Sequence, residues 1–231
     1  FIPFEELAGI SKKVALQATQ SIMGITSAGV AYRFSDKVKE DKPEIAKKIK
    51  SSFDLRTNVF TVLKDELFFE KKPGEGFVKI LGLEKGTRVY RWINKEYLIT
   101  PKSFEEYKIF VPESNGSGAI GEILTTPLIG QPLIGHTQTF ISIGSFETND
   151  EAEALLKYVK TKFARALLGT LKVTQHNPKS VWANVPLQDF TCSSDIDWSQ
   201  SIDDIDQQLY RKYGLNDEEI VFIEEKVQPM E

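Results

Sequence analysis

An α+β fold, with a central mixed sheet and helices before, within and after it, is what this 231-residue sequence predicts. Three observations carry that expectation. Apolar residues recur at helical spacing at both ends of the chain. Short runs rich in β-branched and aromatic residues crowd the middle. One long amphipathic stretch, 149–173, lies between those runs and the C-terminal end.

The elements follow in order. PFEELAGISKKVALQATQSIMGI has helix-forming residues at helical spacing. SAGVAYRFSD has strand and turn character, and a second helix is expected from Pro43 to about Ser51, since proline suits a first helical turn. From Phe53 the texture changes. NVFTVL, GFVKILGL, TRVYRWI, EYKIFVP and QTFISIGSF all read as strands, separated by Gly, Pro, Asn and Lys clusters. A helix is expected from about Asn149 to Val173, opened by Thr148 and Glu151 at capping-box spacing. VWANVP reads as one more strand. Two helices close the chain, one from about Ser201 to a glycine stop at Gly214, the other from Asn216 to before Pro229. The expected divisions are an N-terminal helical segment over 1–52, an α+β body over 53–190 and an acidic helical tail over 191–231.

Composition is that of an ordinary globular protein, 41% hydrophobic and 27% charged. Cys192 is the single cysteine, which rules out a disulfide within the chain and fits a cytoplasmic protein. No apolar run is long enough to span a bilayer. Beginning at Phe1 with no signal pattern, the chain reads as a piece of a longer polypeptide.

The formal net charge of -4 hides an asymmetry. From Asp189 onward there are 12 acidic and 3 basic side chains, whereas 1–188 hold 26 basic and 21 acidic ones. Within that basic body, KYVKTKFARALLGTLKVTQ (157–175) has five basic residues and no acidic one. Wound as one helix, it puts Lys157, Lys162, Arg165 and Lys172 opposite an apolar face. Solvated helix faces usually mix signs. An unmixed one points to an anion: nucleic-acid phosphates or the chain's own acidic tail.

Catalytic constellations are weak. Gly116, Gly118 and Gly121 have G-x-G-x-x-G spacing, but Pro127 stops any following helix and a loop is the better reading. His136, His176 and Cys192 do not assemble a zinc set. Glu106 and Lys108 form the acid-x-lysine element of a magnesium nuclease without a partner acid. Side chains suited to nucleic acid stand out in three places: Arg56 and Asn58; His136, Thr137 and Gln138; and Gln175, His176 and Asn177.

SSFDLRTN (51–58), HTQTFISIGSFETNDEAE, KTKFARALLGTLKVTQ, VWANVPLQDF and LYRKYGLNDEEIVFIE come in an order and spacing that resemble one family. It is the C-terminal target-recognition region of type II restriction-modification adenine-specific DNA methyltransferases, including forms fused to an endonuclease. The resemblance covers about 50–231. Ser52 and Asp54 replace the family's usual proline and glycine around Phe53, Ala164 stands where a second aromatic often follows Phe163, and 61–135 match poorly. The family's S-adenosylmethionine motif and its Asn-Pro-Pro-aromatic motif are not in this sequence. The resemblance therefore implies a non-catalytic fragment that binds double-stranded DNA in the cytoplasm. An upstream methyltransferase domain of the same polypeptide would hold S-adenosylmethionine. The implied DNA contacts are Arg56, Asn58, Thr137, Gln138, Lys162, Arg165, Lys172, Gln175 and His176, and no metal or cofactor is expected in this chain. Two alternatives stand beside this reading: a magnesium-dependent nuclease using Glu106, and a protein-docking module in which the acidic tail neutralises the basic stretch.

Overall fold

A computed structural model describes residues 4–49 and 52–230. The fold is α+β, and its strands divide among three small sheets. The chain opens with helix α1 (Glu5–Gln17), passes through strand β1 (Arg33–Phe34) and the short helices α2 (Lys37–Asp41), α3 (Pro43–Ala46) and α4 (Val59–Val62), and then enters the sheet region. The far end expected for the second helix, at Ser51, lies outside the described residues.

Strand β2 (Phe77–Glu84) and β3 (Thr87–Asn94) form an antiparallel hairpin over eight residue pairs. Its two-residue turn, Lys85-Gly86, has φ of 50° and 79°. Positive φ at both positions matches the right-handed twist of the strands it joins. β4 (Leu98–Ile99) pairs with β1. β5 (Tyr107–Pro112) lies between β6 (Leu128–Gly130) and β8 (Phe140–Phe146), while β7 (Ile134–His136) runs parallel to β2. Helices α5 (Asn149–Lys160), α6 (Lys162–Gly169), α7 (Ile202–Tyr213) and α8 (Asp217–Lys226) complete the chain.

The first helix stops at Gln17, with Ile22–Ile25 a separate 3₁₀ turn, and the second is, among the described residues, helical only over Pro43–Ala46; three further expected elements differ from the structure. NVFTVL forms helix α4, because Val59, Phe60 and Leu63 bury together at helical spacing. VWANVP lies largely in a 3₁₀ segment over Lys179–Asn184, which buries Val181 and Trp182 on one side and leaves Lys179 and Ser180 exposed. The single helix expected over 149–173 is broken at Thr161, whose ψ of 148° is extended. There the chain restarts as α6, with the Ala164 amide donating to Thr161 Oγ1 and the Lys162 and Phe163 amides to the Asp206 carboxylate.

Two large cores result. One gathers Leu7 and Ile10 of α1, Ile109, Ile143, Leu155, Phe163 and Trp182 with Leu209 and Ile223 of the last two helices. The other gathers Tyr32, Phe34, Phe60, Phe68, Ile80, Ile93 and Phe104. Leu81, Phe110 and Phe140 form a smaller apolar cluster of their own. The first core runs across both expected divisions at 52 and 190: Lys13 Nζ reaches Glu219 Oε2 at 2.6 Å, and the Phe4 and Phe222 rings lie 5.2 Å apart.

Candidate nucleic-acid interface

The end of β5 is where three distant segments meet. The Glu113 amide donates to Thr139 O at 2.9 Å, and the Asn177 amide donates to Glu113 O at 2.6 Å. Asn115 N reaches Gln175 O at 2.6 Å, and Gln138 N reaches Leu55 O at 2.8 Å. The main chain thereby stitches the 55–58, 136–139 and 175–177 segments around Glu113. Beside this junction lies a cleft of about 770 Å³, lined in part by Val30, Thr57, Glu113, Gln138, Pro178 and Lys179. Two other depressions, of about 500 Å³ beside α1 and about 630 Å³ beside Trp198, are lined by none of the predicted contact residues.

Of the predicted residues, Gln138 lines the cleft, and Asn58 is exposed next to its lining residue Thr57. Gln175 and His176 are exposed on the third segment. His176 Nδ1 lies 3.1 Å from Glu113 Oε2 and 3.1 Å from Ser114 Oγ, which holds the ring against a lining residue of the cleft. Arg56 is half-buried and donates to Ser52 Oγ at 3.3 Å.

Four predicted contacts are placed otherwise. Thr137 is fully buried, its hydroxyl 3.0 Å from Thr139 Oγ1 and its amide on Leu81 O, so no base edge reaches it. Arg165 is 2% exposed. Its Nε donates to Lys160 O at 3.0 Å, its Nη1 reaches Gly121 O at 3.3 Å, and its Nη2 bonds Gln228 O. Lys172, 3% exposed, donates to Asn115 O at 2.8 Å and pairs with Glu122. Lys162 pairs with Glu224 of the acidic tail. The physical reason is the break at Thr161: a face wound at about 100° per residue across 149–173 loses its phase where the helix restarts. In this fold none of these cations offers a free head to phosphate. Lys157 also turns inward, donating to Trp198 O at 2.8 Å and Gln200 O at 3.0 Å.

The remaining motifs are structural as well. Gly116, Gly118 and Gly121 all have positive φ, and the Ser117 and Gly118 amides donate to the Glu122 carboxylate at 2.8 and 3.1 Å. This loop cradles an anion from its own chain. Lys108 is fully buried, donating to Phe104 O, Glu106 O and Gln131 O, and desolvation pulls its pKa down to about 8. An ammonium so enclosed cannot face a phosphodiester beside Glu106, which removes the lysine from the nuclease reading. His136 is fully buried between the Tyr32 and Phe110 rings, and burial lowers it to about 4. It is neutral at physiological pH. Among the described residues no group of three or more His, Cys, Asp or Glu could hold a metal ion, and no helix is long and apolar enough to cross a membrane.

No protein-family model and no curated protein matches the chain. Among solved structures, the chain is similar to the type IIG restriction endonuclease BpuSI, with a TM-score of 0.36 and 10% identity. The match covers 87% of this chain and 28% of that one, so the chain spans under a third of that enzyme's length.

Proposed function

We propose that this chain is a DNA target-recognition part of a restriction-modification adenine-specific methyltransferase. It binds duplex DNA and positions it for a catalytic domain outside this sequence. One observation carries the reading. The segments suited by composition to base contact, far apart in sequence, are hydrogen-bonded to one another around the cleft at Glu113. Gln138 lines that cleft, and Asn58 and Gln175 are exposed on the two other segments; their side-chain amide is the group that pairs bidentately with adenine edges. Methyl transfer and S-adenosylmethionine belong to the other domain.

The test is equilibrium binding of the chain to a randomised duplex pool, followed by the selected site and single-base variants of it. A preferred site is expected. In Asn58→Ala and Gln138→Ala, discrimination at one base pair falls by about 1–3 kcal/mol, roughly 5- to 150-fold. Equal binding to all duplexes, with both variants like wild type, would overturn the base-reading role. A second reading has its own observation: Lys162 and the amides of α6 are met by Glu224 and Asp206 of the tail. That arrangement suits a docking module, and a chain without affinity for any duplex would favour it.

A further inference from the structure

Residues 71–95 hold seven basic and two acidic side chains, in a chain whose total is -4. The structure divides these charges unequally. Arg91 is ion-paired with Glu84 on the side of the hairpin where Val78, Ile80 and Ile93 enter the second core. Lys95 pairs with Glu105. The other acid, Glu75, lies at the open end of the hairpin beside Asn94. Lys71, Lys72 and Lys85 are exposed; Lys79 and Arg88 are half-buried on the opposite side, which also carries the fully buried Leu81, and Arg88 Nη1 donates to Thr126 O at 2.7 Å. No carboxylate among the described residues lies within ion-pair distance of these five.

Aromatic rings hold several of them in place. The register sets Lys79 opposite Trp92, and its Nζ lies 5.0 Å from that ring and 6.0 Å from the ring of Tyr90. Lys72 Nζ lies 5.4 Å over Trp92 from the other segment, and the Arg88 guanidinium lies 5.5 Å over Phe140. Tyr90 itself is 39% exposed. Cation–π contact fixes an ammonium without neutralising it, unlike a carboxylate. Cations kept together and unneutralised repel one another, and a polyanion relieves that repulsion. β3 is the outermost strand of its sheet, and along its other edge Phe69 and Trp92 exchange main-chain hydrogen bonds of 2.9 and 2.8 Å.

We propose that the part of the β2–β3 hairpin bearing Lys79 and Tyr90, with the exposed Lys71, Lys72 and Lys85 beside it, is a phosphate-backbone docking surface for a DNA duplex. This rests on the reading of the chain as a DNA-recognition part. It gives the hairpin the electrostatic contacts that α5 and α6, with their cations turned inward, do not make. Phosphate contacts supply sequence-independent affinity and fix register, leaving base reading to the cleft.

The test compares wild type with the quadruple variant Lys71→Gln, Lys72→Gln, Lys79→Gln and Lys85→Gln in duplex binding between 50 and 200 mM salt. Neutralising four phosphate contacts lowers the log–log salt slope by about 3 to 4. Lysine acetylation of wild type, with and without duplex, gives a readout independent of the variant's folding: Lys72 and Lys79 are expected to be protected. Wild type that binds duplex, with neither a change of slope nor protection, overturns the hairpin proposal and leaves the DNA reading standing. Wild type that binds no duplex at 50 mM salt overturns the DNA reading itself. Equal binding to polyglutamate, lost in the variant, assigns the face to an acidic protein instead.

Discussion

Asp206 shows how one buried side chain carries structural weight that its position in the sequence does not announce. It is 1% exposed and accepts the Lys162 and Phe163 amides at 2.9 and 2.8 Å. Desolvation pushes its pKa up to about 7, and those two amide bonds oppose the shift without cancelling it. The native state therefore holds this proton more tightly than the unfolded chain, where the pKa is near 3.9. The Asp206 contribution to stability is full below about pH 4 and declines as pH rises toward 7. Urea unfolding of wild type and Asp206→Asn at pH 4.5 and 7.5 checks this. Wild type minus variant should fall between the two pH values; a constant difference would show that Asp206 is ionised throughout. Arg165 and Lys172 give the matching lesson for cations. Their charges were legible in the sequence, but their inward direction was not, because it depends on the helix restart at Thr161 and on carbonyls supplied from 115–122 and 228.

Among elements, those with a local physical cause were the legible ones. β-branched and aromatic runs mark the two strands that pair as β2 and β3, and the Lys85-Gly86 turn that joins them is seen in the fold. Thr148 with Glu151 and Asn216 with Glu219 close capping boxes, and Gly214 ends α7 at φ 65°. Where composition and burial disagree, burial decides. NVFTVL has strand-forming residues, yet Val59, Phe60 and Leu63 find their core as one helical turn. The 113–127 loop is the element most dependent on tertiary contact. A Cβ at Gly118, whose φ is +91°, would meet Thr174 N at 2.5 Å, whereas one at Gly74 would meet nothing within 4 Å. Gly118→Ala should lower stability by about 1–3 kcal/mol and Gly74→Ala by less than about 0.5 kcal/mol, read from urea midpoints. Equal midpoints would show that the loop relaxes away from 173–174 at no cost.

Across the whole molecule, the two ends of the chain belong to one core. α1 packs against α7 and α8, and Ile205, Leu209, Tyr210, Phe222 and Ile223 are each at most 7% exposed in the first cluster. Truncation after Phe190 removes all five. The shortened chain is expected to lose its cooperative thermal transition and to bind apolar dyes; a sharp transition with a smaller denaturant slope would instead show that the remainder folds alone. The acidic tail is thus an integral part of the helical core, and it also supplies Glu224 to Lys162.

The sequence by itself determined the α+β class, the helix caps and the two strands that pair as β2 and β3. Each follows from spacing, turn chemistry or residue type over a few neighbouring positions. Tertiary structure alone decided which charges are free. Whether a lysine meets solvent, a carbonyl or a carboxylate depends on partners tens to more than two hundred residues away, as Lys157, Lys162 and Lys13 show. That is why Lys157, Lys162, Arg165 and Lys172 of the unmixed basic stretch turn inward while Lys71, Lys72 and Lys85 beside the hairpin stay exposed. It is also why the cleft at Glu113 appears only once three segments are stitched to the end of β5.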